Sequence, residues 1–351
     1  MTEPALVKIE VVQTAEATCP GDDTVFVAAR GGGDVGWYGP VSTEVGRTVE
    51  AIAAAVAGTP VTDHRGLVRR LCRAVGGDRR GWPEQWAVGA VDCAFWDLHG
   101  RLLGKPVAEL LAQPRARTQV PAYASWLRAD LTSSETPDAL VQVAEEGWAF
   151  TKWGLRRRPG PTIASEARDL VGAVQRAAQH LGTGFAVDAV GTWNPELSTA
   201  FAAQVDASAL FWLEDPLPEH DLPVYRRLAA TGLPLAVGER LMPEEDLPRL
   251  LGEIRPAALT IDVVGCGGLT RAVEIVSAAR EASISLYPHG RSLVPGIHLA
   301  AAFPDVVPAV EYRRQWEPRR QQLYKEPWTP AHGAFPSPAS AGLGTEPRRP
   351  Q

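Results

Sequence analysis

The 351-residue chain is short of lysine: Lys8, Lys105, Lys152 and Lys325 are the whole set, against 31 arginines. Genome base composition accounts for the bias itself. It still makes each lysine worth locating, because an arginine cannot give up its proton near neutral pH and a lysine can. Cysteine is sparse too. Cys19, Cys72, Cys93 and Cys266 are far apart and form no CxxC pair, which argues against a disulfide framework or a zinc knuckle. A basic excess is missing: 35 Lys and Arg stand against 41 Asp and Glu, a net charge of -6, which argues against a nucleic-acid partner. No apolar run approaches the roughly 18 residues of a membrane helix, and the start MTEPALVKIE lacks the basic-then-apolar layout of a signal peptide. These absences lead us to expect a cytoplasmic protein with reduced thiols that binds neither nucleic acid nor membrane.

What is present divides into two textures. VKIEVV (7–12) and TVFVAAR (24–30) are β-rich runs, and GGGDVGWYGP (31–40) reads as turn and loop. Helical patterns follow at about 44–57, 66–75 and 84–103, the last stopping at Gly104 before Pro106. Residues 1–117 therefore read as an α+β unit. From 118 to about 315, short apolar runs alternate with amphipathic helices such as 164–182 and 269–282. The runs are 120–125, 149–153, 184–189, 210–215, 234–239, 259–262, 284–289 and 308–312. Strand alternating with helix implies right-handed βαβ units and a parallel sheet. Eight strands in so short a stretch fit a closed (β/α) barrel better than an open wound sheet, and no GxGxxG follows an early strand to support a dinucleotide fold.

Several runs end in an ionisable residue. Lys152 lies near the end of the second, and Asp188, Glu214, Glu239, Asp262, His289 and Glu311 end the third to eighth. From Asp188 onward the steps are 26, 25, 23, 27 and 22 residues, one βα unit each. A lone carboxylate after a strand is ordinarily a solvated loop residue or a helix cap. Six acid or histidine residues in phase with six successive units point instead to one convergent site, because the C-terminal strand ends of a barrel share one face. Three carboxylates brought together there, Asp188, Glu214 and Glu239, would raise one another's pKa unless a cation sat among them. Hard oxygen ligands suit Mg²⁺; pairing with an arginine such as Arg240 is the alternative. Asp262 and His289 fall on neighbouring strands, and a carboxylate on one imidazole nitrogen fixes the tautomer and raises the basicity of the other.

With these residues in place the sequence resembles the enolase superfamily in its mandelate racemase-like branch. AVGAVDCAFWDLHGRLLGKPVAEL (87–110) is similar to the stretch that closes the family's capping domain. WLEDP (212–216), VGE (237–239), IDVVGCGGLTRA (261–272) and YPHG (287–290) resemble its ligand and catalytic segments. GAFPSPASAGLG (333–344) resembles its C-terminal return to the cap. The resemblance implies a modified (β/α)8 TIM-type barrel, (β/α)7β, over 118–315. The α+β cap would be built from 1–117 and a C-terminal segment, 316–351. It implies Asp188, Glu214 and Glu239 as Mg²⁺ ligands and Asp262 with His289 as the proton-exchanging dyad. Glu311 would be the acid that hydrogen-bonds a developing enediolate, and Lys152 the first lysine of the family's KxK motif, facing the substrate carboxylate. The implied partner is a small-molecule carboxylate, a sugar acid, and the implied assembly a homo-oligomer, dimer or octamer.

Two departures bear on the chemistry. The second KxK lysine, the opposite-face base of the racemases, is Gly154 here, and the residue two after the first ligand, often Asn, is Val190. Racemisation needs proton exchange on both faces of one carbon, whereas a dehydratase needs one base. The expectation is a Mg²⁺-dependent hydro-lyase forming a 2-keto-3-deoxy acid, and TKWGLRRRPGP (151–161) also resembles a run found in some sugar-acid dehydratases. A racemase or epimerase with another base, or a non-catalytic ligand-binding homologue, is the rival. Gly154 can also be read as the mark of a dead site or of a pocket widened for a bulky substrate. Arg156, Arg157 and Arg158 read as a solvated loop that could touch an anionic substrate, and Trp37 and Tyr38 as neighbours of a cap loop.

Overall fold

The structure is a computed structural model. It describes residues 4–13, 23–77, 81–112, 117–133, 136–182, 184–218, 221–239 and 247–348. Cys19 and Arg240 lie outside these.

The cap opens with an antiparallel sheet in the order β1 (Leu6–Gln13), β2 (Asp23–Gly31), β3 (Asp34–Ser42). The glycine-rich stretch expected to be loop is thus mostly strand. Gly32 and Gly33 alone make the turn, at φ 59° and 87°, and Val35, Trp37 and Tyr38 pair with Arg30, Ala28 and Val27. Gly36 is there for close approach: a Cβ on it would lie 2.2 Å from both Ala94 O and Leu98 N of a crossing helix. Trp37 and Tyr38 are consequently packing residues of β3, Tyr38 within the core and Trp37 against it.

That crossing helix organises the molecule. Helices α1 (Thr43–Ile52), α2 (His64–Ala74), α3 (Trp82–Leu103) and α4 (Val107–Leu111) complete the N-terminal part. Along its middle α3 is buried on nearly every face, as expected of a helix between two layers. On one side Asp97 accepts from Trp37 N at 2.7 Å and from Leu343 N at 2.5 Å, tying the cap sheet to the C-terminal return. On the other, Asp92 accepts from Thr270 N at 2.9 Å and from Thr270 Oγ1 at 2.6 Å. Gly89 meets the 262–268 loop so closely that a Cβ would fall 2.0 Å from Val264 O. Gly89→Ala must therefore push α3 off this loop. We expect a loss of about 1–3 kcal/mol in thermal or urea unfolding, as for overpacked cores.

The barrel strands are β4 (Gln119–Asp130), β5 (Thr151–Gly154), β6 (Phe185–Asp188), β7 (Leu210–Glu214), β8 (Leu235–Val237), β9 (Ala258–Leu259), β10 (Ser285–Leu286) and β11 (Val310–Arg313). Helices α5 (Thr136–Ala144), α6 (Ile163–Leu181), α7 (Pro195–Ala202), α8 (Leu222–Ala229), α9 (Leu247–Arg249, continued by a π turn), α10 (Leu269–Ala282) and α11 (Leu293–Ala302) follow the first seven strands in turn. The ladders run parallel in the order β10-β9-β8-β7-β6-β5-β4-β11. Leu286 N to Val306 O at 2.8 Å and Glu311 N to Pro288 O at 3.3 Å carry the backbone bonding across the remaining seam. After β11 the chain leaves through the short α12 (Glu317–Arg320) toward the cap, where Tyr324 OH donates to Gly39 O at 2.7 Å. Strand β12 (Ala334–Pro336) pairs antiparallel with the start of β4. The architecture is the (β/α)7β barrel with an α+β cap that the sequence implied.

Side chains plug the barrel interior. Tyr123, Trp212 and Tyr287 interleave with Ala186, Ala236, Ala258 and Ala309, and Phe150 packs beneath them. Large residues facing small ones fill the tapering lumen. This floor matters for the site, because the ammonium of Lys152 rests 5.9 Å from the centre of the Tyr123 ring.

Candidate active site

Lys152 Nζ lies completely buried on the inward face of β5. It contacts Glu214 Oε2 at 2.9 Å, Glu311 Oε1 at 3.0 Å and Asp188 Oδ2 at 3.6 Å. Burial alone would lower its pKa; the carboxylates of Glu214 and Glu311 outweigh burial and hold it well above the ordinary lysine value. The three acids respond unequally. Burial pushes Glu214 up to about 8, with Asp188 and Glu311 adding repulsion that Lys152 only partly offsets. Burial raises Asp188 as well, against the pull of Lys152. Glu311 resists the same burial and falls to about 2, because Lys152 and His289 both face it.

Each acid is also aimed by a local donor. Val190 N donates to Asp188 Oδ1 at 2.7 Å, Trp212 Nε1 to Glu214 Oε2 at 3.0 Å, and Gly290 N to Glu311 Oε2 at 2.7 Å. Trp212 sits two residues before Glu214 on the same face of β7. That period-two signal was available in the sequence and passed unnoticed.

The second group surrounds His289. Ladder pairing ends at Leu259 and Leu286, so Asp262 and His289 lie three residues beyond β9 and β10, not at their last positions. Backbone bonds from Tyr287 N to Leu259 O (2.7 Å) and His289 N to Ile261 O (2.8 Å) keep the two loops in register. His289 Nδ1 lies 3.3 Å from Asp262 Oδ2; Nε2 lies 3.7 Å from Glu311 Oε2 and 3.8 Å from Glu239 Oε1. Burial would lower its pKa, but Glu239, Glu311 and Asp262 together raise it to about 9. The imidazole therefore favours its doubly protonated form, with Nδ1–H directed at Asp262. The other oxygen of Asp262 is locked by Val264 N (3.0 Å), Gly265 N (2.8 Å) and a short hydrogen bond from Ser292 Oγ. Ser292 was not singled out from sequence, although it follows His289 by only three residues.

Gly154 overturns the idea of a widened pocket. A Cβ there would meet Leu127 O at 2.6 Å, Arg156 Nη1 at 3.0 Å and Asp130 Oδ2 at 3.3 Å. The volume that a second lysine would enter is filled by the bulged end of β4 and by Arg156. Arg157 is structural: its guanidinium is bidentate to Glu166 in the first turn of α6, at 2.7 and 3.3 Å. Arg158 is exposed.

Val190 has φ 54°, a left-handed conformation that costs a β-branched residue roughly 1–3 kcal/mol. Its N–H is the donor that orients Asp188, so the strained backbone serves the site. Asn tolerates this region better, and Val190→Asn is expected to raise unfolding stability by roughly 1 kcal/mol. An unchanged or lower midpoint would remove the strain argument.

Among the described residues no three Asp, Glu, His or Cys side chains are already gathered tightly enough to hold a metal ion. Lys152 draws Asp188 and Glu214 to itself, and Glu239 stands 38% exposed just before residues 240–246. The donor chemistry nevertheless fits a hard divalent cation. Glu214 Oε1 is buried with no hydrogen-bond partner, burial with repulsion from Asp188 has pushed its carboxyl to about 8, and Asp188, Glu214 and Glu239 all offer carboxylate oxygens. Asp188, Glu214 and Glu239 are the residues that could hold such an ion. Cys266 is buried, and burial pushes its thiol up. His298 is a clamp between Ala108 N and Leu343 O.

Two family models match the chain. The mandelate racemase / muconate lactonizing enzyme N-terminal domain covers residues 4–112, and the enolase C-terminal domain-like model covers 136–351. The chain belongs to the enolase superfamily. Within it, it is similar to the D-galactonate dehydratase of Pectobacterium atrosepticum, 27% identical over 330 residues that span 90% of this chain and 86% of that protein. It is likewise similar to the D-galactonate dehydratase of Ralstonia nicotianae, 29% identical over 73% of this chain and 68% of that one. Among solved structures, an enolase superfamily member from Salmonella Typhimurium superposes with a TM-score of 0.84 at 18% identity, covering 98% of this chain and 96% of that chain. The 3,6-anhydro-D-galactonate cycloisomerase of Zobellia galactanivorans superposes at 0.78 and 22% identity, covering 97% and 96%. This superfamily fold places Lys152, Asp188, Glu214, Asp262, His289 and Glu311 at the C-terminal end of one barrel. No helix among the described residues is long and apolar enough to cross a membrane.

Proposed function

We propose that this enolase superfamily member is a Mg²⁺-dependent dehydratase of a sugar acid, converting it to a 2-keto-3-deoxy acid. The observation that carries the reading is its one-sidedness. A histidine–aspartate pair stands on one side of the barrel mouth, and on the other Gly154 has no room for the side chain that a two-base racemase would need. The similarity to proteins named D-galactonate dehydratase supports the same reaction class.

Asp188, Glu214 and Glu239 would hold the Mg²⁺, which when bound supplies Lewis-acid stabilisation of the charge that develops on the substrate carboxylate. Once His289 has given up its own Nε2 proton, that nitrogen takes the proton α to the carboxylate, while Asp262, fixed by Ser292, Val264 and Gly265, holds Nδ1–H. The C–H electron pair passes into the carboxylate as an enediolate, then returns to form the α–β double bond of the enol as the β-hydroxyl departs. The imidazolium returns the proton to that leaving oxygen, so water is lost and the histidine is regenerated. Tautomerisation of the enol gives the keto acid. Lys152 contributes buried positive charge beside the carboxylate, and Glu311, locked by Gly290 N, would hydrogen-bond the enediolate once it has taken up a proton.

The test is incubation with Mg²⁺ and a panel of acid sugars, D-galactonate included, with keto-acid formation measured. Formation from at least one member is expected. No product from any of them, with tight binding of one, would favour a ligand-binding protein without turnover.

A further inference from the structure

Gly154 follows Lys152 by two residues on β5, so its missing side chain would point the same way as that lysine, into the mouth of the barrel. What fills this direction comes from elsewhere in the chain. The register of β4 on β5 slips between Trp126 and Asp130, which swings Leu127 over Gly154. Arg156 then folds back: its N–H donates to Asp130 Oδ2 at 2.9 Å, and its Nη1 donates to Leu127 O at 2.6 Å and lies 3.7 Å from Asp130 Oδ2. Asp130 is itself fixed by Thr132 N at 3.0 Å and Thr132 Oγ1 at 2.5 Å. A guanidinium is thus held rigidly by one of its ends. Its Nε and Nη2 make no hydrogen bond among the described residues, and the side chain is 39% exposed.

We propose that Arg156 is a specificity-determining residue whose free Nε–Nη2 edge binds the oxygen functions at the end of the substrate remote from the reacting carboxylate. The proposal rests on the sugar-acid reading above. The planar fork of a guanidinium suits paired oxygens, either a second carboxylate or neighbouring hydroxyls. A guanidinium is also no proton acceptor near neutral pH. The same residue that recognises the substrate therefore leaves the face opposite His289 without a base, which a lysine at 154 would have supplied.

The experiment is calorimetric titration in Mg²⁺, in a His289→Asn background that prevents turnover, with D-galactonate, galactarate and D-glycerate as probes. Arg156→Met is expected to weaken D-galactonate or galactarate at least tenfold and D-glycerate, which has no remote oxygens to lose, less than twofold. Arg156→Lys, which keeps the charge and loses the fork, should recover only part of the loss. A greater loss for galactarate than for D-galactonate identifies a second carboxylate as the group bound; equal losses identify hydroxyls. Equal weakening of all three acids, or of none, would overturn the assignment while leaving the dehydratase reading standing. Failure of every probe to bind protein that retains Arg156 would bring down both.

Discussion

His289→Asn is expected to lower turnover by about 10²–10⁴-fold, the usual worth of a positioned general acid–base group, while the folded structure persists. Asn is the informative replacement. Its amide nitrogen can take the place of Nδ1 and keep a donor on Asp262 Oδ2, which the native imidazole reaches at 3.3 Å. The buried carboxylate is then not left unpaired, so circular dichroism and the unfolding midpoint should change little. What Asn lacks is the group at Nε2, which faces Glu239 and Glu311. Turnover within a factor of a few of the native protein would refute the role given to His289 and would move the search for a base to the other side of the barrel.

The second large effect concerns the metal. Chelation of divalent cations should abolish turnover, with recovery on adding Mg²⁺. Mg²⁺ should also stabilise the fold by about 2.7 kcal/mol at a hundred times its dissociation constant, which differential scanning fluorimetry reads as a rise in midpoint. Glu214→Gln separates metal binding from folding. In the metal-free protein burial and the repulsion of Asp188 and Glu311 push the Glu214 carboxyl to about 8. That upward shift lessens the cost of replacing the carboxyl by a neutral amide of the same shape. The variant should melt near the native metal-free midpoint but lose the Mg²⁺-dependent rise. An equal rise in both proteins would take Glu214 out of the ligand set.

The barrel was legible in the sequence because its strands are buried on both sides and read as short apolar runs, each closed by one ionisable residue. A parallel fold spaces those residues one βα unit apart, so their phase carried the site. Strand β3 was missed because its glycines look like loop formers, whereas Gly36 is small so that α3 can cross within van der Waals reach. Lys152 was legible by position but its surroundings were not. That one ammonium binds Glu214, Glu311 and Asp188 at once depends on side-chain directions from four strands, which spacing alone does not give. Gly154 shows the same limit from the other side. An absent side chain suggested extra room, but the bulge of β4 and the return of Arg156, both non-local, occupy it. Val190 became intelligible only with its backbone angle: it is tolerated where asparagine would be at ease, because its N–H holds Asp188.

The central claim is a single base acting on one face of the α-carbon, with loss of water. It is tested most directly by running the Mg²⁺-loaded protein in D₂O on an acid sugar that it consumes and examining both product and recovered substrate by NMR. A 2-keto-3-deoxy acid with recovered substrate of unchanged configuration at the α-carbon is the expected result. Recovered substrate that carries deuterium with inversion at that carbon would contradict it and establish a two-base racemase or epimerase.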